Sequence, residues 1–202
     1  MIKIIGFSGK AGSGKDTSAE IIKNMYRLDP RTAIYRLSFS KILKRAVKIL
    51  FNLTEQQLYD RILKEKLDAR YNYSPRYILQ YIGTDVIRQH FGQDFFVNRL
   101  SEEIDYITRK HKKAMFKRNA LIMITDVRFD NEAEMILRSG GIVVDITRDT
   151  EQATDNRHHA SENGISRNLV SYTIFNNNTL SDLKFKLNLI IKSYKSGTLE
   201  VN

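Results

Sequence analysis

Short, nearly continuous apolar runs alternate along this chain with longer segments whose apolar residues recur every three or four positions. Five of the runs read as buried strands: "KIIGFS" (3–8), "TAIYRLSF" (32–39), "ALIMIT" (120–125), "IVVDIT" (142–147) and "SYTIF" (171–175). Between them, Ala19, Ile22, Met25 and Tyr26 mark a helix over Lys15 to Arg27, and Ile42, Ala46 and Ile49 mark another in "KILKRAVKILF". Polar punctuation sharpens the helix starts. Ser40 stands where a cap belongs, and Thr54 with Gln57 spells a capping box opening a short helix. Ser74-Pro75, an N-cap followed by proline at the first helical position, predicts a helix of about 17 residues. Asp94 opens a longer one, "DNEAEMILRSGG" is a helix closed by glycines, and Leu180 to Tyr194 is amphipathic. Strands apolar on both faces, alternating with helices, predict an α/β fold: a parallel five-stranded sheet flanked by helices.

Composition changes this picture little. The 202 residues suit a single domain with a real core, and neither a repeat nor a Pro/Gly-rich linker divides them. With no cysteine, disulfides and thiolate metal sites are excluded, which fits a reducing compartment. No apolar run reaches membrane-spanning length, and "MIKIIGFSG" lacks the long apolar core of a signal peptide, so a soluble cytoplasmic protein is expected. The net charge of +10 draws polyanions, nucleic acid or nucleotides. The densest basic run, "TRKHKKAMFKR" (108–118), reads as a solvated helix end.

The first strand runs into "GKAGSGKDT". Gly9, four residues, then Gly14 and Lys15 fit the phosphate-loop pattern G-x-x-x-x-G-K-[ST], in the strand–loop–helix context that it requires. Gly12 and Gly14 let backbone N–H groups turn toward phosphate oxygens, the helix N-terminus adds its dipole, and Lys15 supplies a point charge. Where Ser or Thr should help to hold Mg²⁺, this chain has Asp16, with Thr17 one step later. A carboxylate holds Mg²⁺ directly or through water, and Thr17 can bond a phosphate; equally, Asp16 only complements the helix dipole.

Asp126 follows the "LIMIT" strand, at the carboxyl end where open α/β sheets bind ligands, and an acid there commonly holds Mg²⁺ or its waters. Arg128, two residues on, can clamp a phosphate bidentately. The bland alternative is a polar loop in which Asp130 caps the next helix. In "SPRYILQYIGTDVIRQHF", Arg76, Gln80, Thr84 and Arg88 are four apart, and at about 100° per residue they form one polar band. Two guanidinium forks and an amide suit an anionic acceptor bearing a base, although a solvated face gives the same spacing. Ile78, Leu79, Ile82 and Val86 are expected to bury, and Gly83 suggests a close approach by something. The polar segment 148–168, with Arg148, Arg157, His158 and His159, reads as a basic lid and not as a metal site. Asn176 and Asn177, just past the last strand, offer amides to an adenine edge, or simply build a local turn.

Taken together, "SGKAGSGKDT", "SPRYILQYIGTDVIRQHFG", "ITDVRFDNEAEMI", "HASENGI" and "YTIFNNNTLSDL" resemble the bacteriophage-type deoxynucleoside monophosphate kinases over nearly the whole chain. In that family Asp after the loop lysine is usual. The resemblance implies a P-loop nucleoside monophosphate kinase fold with a helical acceptor-binding region near 40–116 and a small basic lid. It implies transfer of the γ-phosphoryl group of ATP, with Mg²⁺, to a deoxynucleoside monophosphate. Carried over, Gly9, Ala11, Gly12, Ser13, Gly14, Lys15, Asp16, Thr17 and Asn177 belong to ATP, and Lys10, Arg76, Gln80, Arg88 and Arg128 to the acceptor. Lys15, Asp126, Arg128 and Arg148 carry the chemistry, with Asp16 and Asp126 as the metal candidates. No membrane and no stable nucleic-acid partner are expected; oligomeric state, a homodimer included, stays open. The rival readings are a related kinase with a phosphomevalonate or dephospho-coenzyme A acceptor, and a nucleic-acid-dependent P-loop ATPase.

Overall fold

The computed structural model describes residues 2–113, 119–149 and 164–196. They form two compact units, one from Met1–Ser38 with Leu100–Asn202 and the other from Phe39–Arg99.

The first unit is built on a parallel five-stranded sheet. Its strands are β1 (Ile2–Ser8), β2 (Thr32–Leu37), β3 (Asn119–Ile124), β4 (Ile142–Thr147) and β5 (Tyr172–Phe175), in the order β2-β3-β1-β4-β5. The central strands are buried on both faces, which is why their sequences are apolar without alternation. Two helices, α1 (Lys15–Met25) and α8 (Leu180–Ser196), share one core with the sheet: Ile5, Phe7, Val144 and Ile174 meet Ala19, Ile22, Leu183 and Leu187. Gly6, next to Ile5 and so on the opposite face, receives α7 (Asp130–Arg138). A Cβ at Gly6 would fall 2.6 Å from Ile136 Cδ1. Helices α1 and α7, which follow the neighbouring strands β1 and β3, therefore lie on opposite faces, so the sheet reverses its winding here. Such a reversal is where ligands bind at the carboxyl ends of strands. Helix α7 ends at Gly140, in the left-handed region at φ 70°, as its terminal glycines foretold.

The second unit is helical. Helix α2 (Lys41–Leu50) lies where its period placed it, but its buried residues are Leu43 and Val47; Ile42, Ala46 and Ile49 are exposed. Ser40 occupies the cap position in helical conformation, and its side chain makes no capping bond. Helix α3 (Glu55–Tyr59) has the full Thr54–Gln57 capping box. The helix that opens at Ser74-Pro75 runs to Phe91, as the spacing predicts, but in three parts. These are α4 (Pro75–Gln80), a π-helical stretch (Tyr81–Arg88) and α5 (Gln89–Phe91), which stops at Gly92 with φ 103°. A Cβ at Gly83 would come 2.7 Å from Leu43 Cδ2, so the close approach that Gly83 permits is that of α2. Buried Asp68 accepts from the Arg70 guanidinium at 2.6 and 2.8 Å and from Gln57 Nε2 at 2.9 Å. Its hydrogen bond with Arg70 holds the carboxyl far below the usual carboxylate range, against the effect of burial. On the outer side Tyr73, Tyr77 and Tyr81 stack in series, with ring centroids 4.6 and 6.0 Å apart and nearly parallel planes. Helix α6 (Phe95–Lys113) leads from this unit into the other. Its exposed basic end covers part of the run 108–118, whose last five residues lie outside the described ones.

Candidate active site

The turn from β1 into α1 is a phosphate-binding loop in its backbone as well as in its sequence. Gly9, Gly12 and Gly14 have φ of 126°, 81° and 113°, values that L side chains rarely adopt. Space also forbids a side chain at two of them: a Cβ on Gly9 would lie 2.2 Å from Ile146 O, and one on Gly14 would lie 2.4 Å from Asn176 Nδ2. Lys10, Ala11 and Gly12 form an exposed rim. Lys15 is buried, and its ammonium lies across the loop, donating to Gly9 O at 2.5 Å and Lys10 O at 2.7 Å. Ser13 Oγ is buried with no hydrogen-bond partner among the described residues. A positive side chain, a run of left-handed glycines and a helix N-terminus together suit a polyphosphate. Asp16, the departure from the usual pattern, is exposed and ion-paired with Arg36 of β2; Thr17 beside it is exposed.

Beyond β3, the chain keeps the sheet's course for a few residues: Val127 N–H donates to Phe7 O at 3.1 Å. Half-buried Asp126 accepts from Ser38 Oγ at 2.7 Å. Arg128 is also half-buried, and its backbone N–H donates at 2.8 Å to the buried carboxylate of Glu132, which accepts from Phe129 N–H as well at 3.3 Å. Sequence reading missed Glu132, whose signal was an acid three residues after the helix cap position. Asp130 does not cap α7, because Phe129 holds that position. Its carboxylate accepts instead from Ser166 N–H at 2.7 Å and Ser166 Oγ at 2.5 Å, and the side-chain bond, seconded by the backbone one, holds its pKa down. Ser8 and Asp145, register partners on β1 and β4, are joined by a 2.5 Å hydrogen bond from Ser8 Oγ to the carboxylate, a pairing that no motif announced.

After β4, Arg148 is exposed. Asp149 accepts from Asn177 Nδ2 at 2.6 Å and returns a backbone N–H to Asn177 Oδ1 at 2.8 Å, so both ends of that amide are engaged. Neighbouring Asn176 donates from Nδ2 to Ser13 O at 2.8 Å. Arg157, His158 and His159, with most of the expected lid, lie outside the described residues.

In the helical unit, the band of Arg76, Gln80, Thr84 and Arg88 is recessed, half-buried or buried throughout, while Tyr77, Tyr81 and Asp85 face solvent. The π-helical stretch explains its alignment. Its i→i+5 bonds put more than four residues in a turn, so a step of four falls short of a turn, where in α4 it overshoots. Ile78 and Leu79 are buried as expected, whereas Ile82 and Val86 are only half-buried. Arg76 Nε pairs with Glu65. Arg88 is 5 % exposed, donates to Gln93 O at 2.8 Å and stacks 5.1 Å from the Phe96 ring. Gln80 Nε2 is buried with no partner among the described residues, an unusual state for an amide donor.

Sheet order, loop and flanking helices define a P-loop kinase fold. A solved dephospho-CoA kinase from Campylobacter jejuni is similar in fold, with a TM-score of 0.50 at 15% identity, covering 98% of this chain and 100% of its own. A family model for deoxynucleotide monophosphate kinase matches residues 32–187. A protein of Acanthamoeba polyphaga mimivirus, provisionally named a deoxynucleotide monophosphate kinase, is 36% identical over 186 residues, 89% of this chain and 91% of its own length. The deoxynucleoside-5′-monophosphate kinase of Escherichia phage T5 is 24% identical over 235 residues, 87% of this chain and 90% of its own. The chain belongs to the deoxynucleotide monophosphate kinase family, and it is a phosphotransferase.

Proposed function

We propose that this kinase transfers the γ-phosphoryl group of ATP to a deoxynucleoside 5′-monophosphate, giving the diphosphate and ADP, in the cytoplasm of the cell or of a viral host. The observation that carries the reading is the loop from Gly9 to Lys15, with left-handed glycines and a buried lysine over its carbonyls. Gly9 to Thr17 hold the triphosphate, Lys15 releasing its carbonyl contacts to take the β- and γ-phosphates. Asn177 borders the ATP side. In the helical unit Arg76 and Gln80 are the groups for the acceptor, in the sheet unit Lys10 and Arg128 are, and Arg148 shields the migrating group. Arg88, engaged with Gln93 and Phe96, supports the band from behind.

Gln80 is suited to a base, because a buried amide donor that no described residue meets gains a full hydrogen bond when a carbonyl or ring nitrogen arrives. The acceptor phosphate is already a nucleophile at neutral pH, so alignment and charge neutralisation suffice and no strong base is needed. Among the described residues no three Asp, Glu, His or Cys side chains gather as a metal cluster. One or two carboxylates do fit Mg²⁺, which keeps several waters and leans on substrate phosphates. Asp126, held by Ser38, and Asp16, held by Arg36, are the candidates. When bound, the ion would spread the charge of the β- and γ-phosphates.

An ADP-release assay over dGMP, dTMP, dCMP, dAMP, their ribonucleotides and dephospho-coenzyme A tests the reading. Turnover is expected with at least one deoxynucleotide; silence across all four, with a folded enzyme, overturns it.

A further inference from the structure

We propose that Asn176, in the turn between β5 and α8, is a positioning residue that sets the orientation of the phosphate loop, resting on the reading of residues 9–17 as the triphosphate site. Its Nδ2 donates to Ser13 O at 2.8 Å across 163 residues of sequence. A trans peptide points its C=O and N–H to opposite sides. Fixing the Ser13 carbonyl onto Asn176 therefore fixes the Gly14 N–H pointing away from it, at the residue preceding the loop lysine. Nothing within the loop does this job equally well. Gly14 has no side chain to restrict it, and Ser13 Oγ has no partner among the described residues; the Ser13 N–H to Lys10 O contact is long, at 3.2 Å.

The turn that carries Asn176 is itself anchored. Asn176 N–H donates to Thr147 O at 2.7 Å, at the last residue of β4, and Asn177 is clamped on both sides by Asp149. The fit is mutual, since the amide nitrogen stands 2.4 Å from where a Gly14 Cβ would be. Gly14 is thus required by its φ and by its neighbour at once. Asn176 acts through the loop and touches no reacting atom: it removes the freedom that a glycine-rich loop would otherwise lose on binding.

The test is equilibrium binding of ATP to the full chain, with KM measured separately for ATP and for the deoxynucleotide acceptor. Asn176→Asp keeps the shape and replaces the donor by an acceptor facing the Ser13 carbonyl. It is expected to weaken ATP binding by about tenfold or more and to raise the ATP KM alike, leaving the acceptor KM within about twofold. Should that variant fail to fold, Asn176→Ala removes the donor without adding charge and is expected to weaken ATP binding by about fivefold. Unchanged ATP affinity in a folded variant overturns the inference, and so does an equal loss for ATP and acceptor, which marks general loosening. If the wild-type chain binds no ATP, the reading of the loop falls first, and the inference with it.

Discussion

Two regions hold functional groups in this molecule by opposite means. From β1 to α1 the chain is positioned by its own backbone: three glycines in left-handed conformations, a carbonyl tied to Asn176, and Ile146 O leaving no room for a side chain at Gly9. From Pro75 to Phe91 the geometry belongs to side chains and their partners: Arg76 on Glu65, Arg88 on Gln93 O, Gly83 yielding to Leu43. A backbone cradle suits a ligand part that never varies, a polyphosphate. Side chains on a helix are replaceable one at a time, which suits the part of a substrate that differs between nucleotides.

That contrast can be broken by substitution. Lys15→Ala is expected to reduce kcat by at least about a hundredfold while circular dichroism stays native; retained turnover would contradict the loop's role. Gly14→Ala forces a side chain into a left-handed residue and against Asn176, so it should cost about 1–3 kcal/mol in denaturant unfolding and weaken ATP binding too. Gln80→Leu sharpens the comparison on the helical side. Removing a buried donor with no partner among the described residues leaves stability unchanged or improved, yet the acceptor KM should rise by about tenfold with the ATP KM unaffected. Destabilisation without an acceptor effect would make Gln80 a packing residue. The smallest effect concerns pH. Asp68 titrates lower in the folded chain than its ordinary 3.8, so its stabilising contribution is complete above that pH and is lost as pH falls toward the folded value. The melting-temperature difference between wild type and Asp68→Asn should stay level from neutral pH down to about pH 5 and shrink below about pH 4. A difference that grew on acidification would reverse the assignment.

What the sequence disclosed follows the same division. The strands, the phosphate loop, the Thr54–Gln57 box and the helix opening at Ser74-Pro75 are local, set by residue type and short spacing, and the structure has all of them. Helix α2 shows the limit. Ile42, Ala46 and Ile49 share helical spacing with the adjacent stripe through Leu43 and Val47, and only the tertiary neighbours decide that the second stripe is covered. The i→i+5 bonding of Tyr81–Arg88 has no pattern of its own in residue type, and α-helical arithmetic was the natural default there. Asn176 was picked out for an adenine edge or a local turn, but its bond to Ser13 O was not legible, and neither were the N–H groups that Glu132 serves, because any sequence possesses such backbone groups. The cap role that the bland alternative offered Asp130 fails for the same reason, since Ser166, far along the chain, claims its carboxylate.

The three stacked tyrosines of the helical unit also make it visible to light. The chain has no tryptophan, so near-ultraviolet dichroism rests mainly on its ten tyrosines, and rings locked in a parallel series are strong asymmetric chromophores. A titration followed in the near ultraviolet would register changes in tyrosine packing, this stack included, without any dye or label attached.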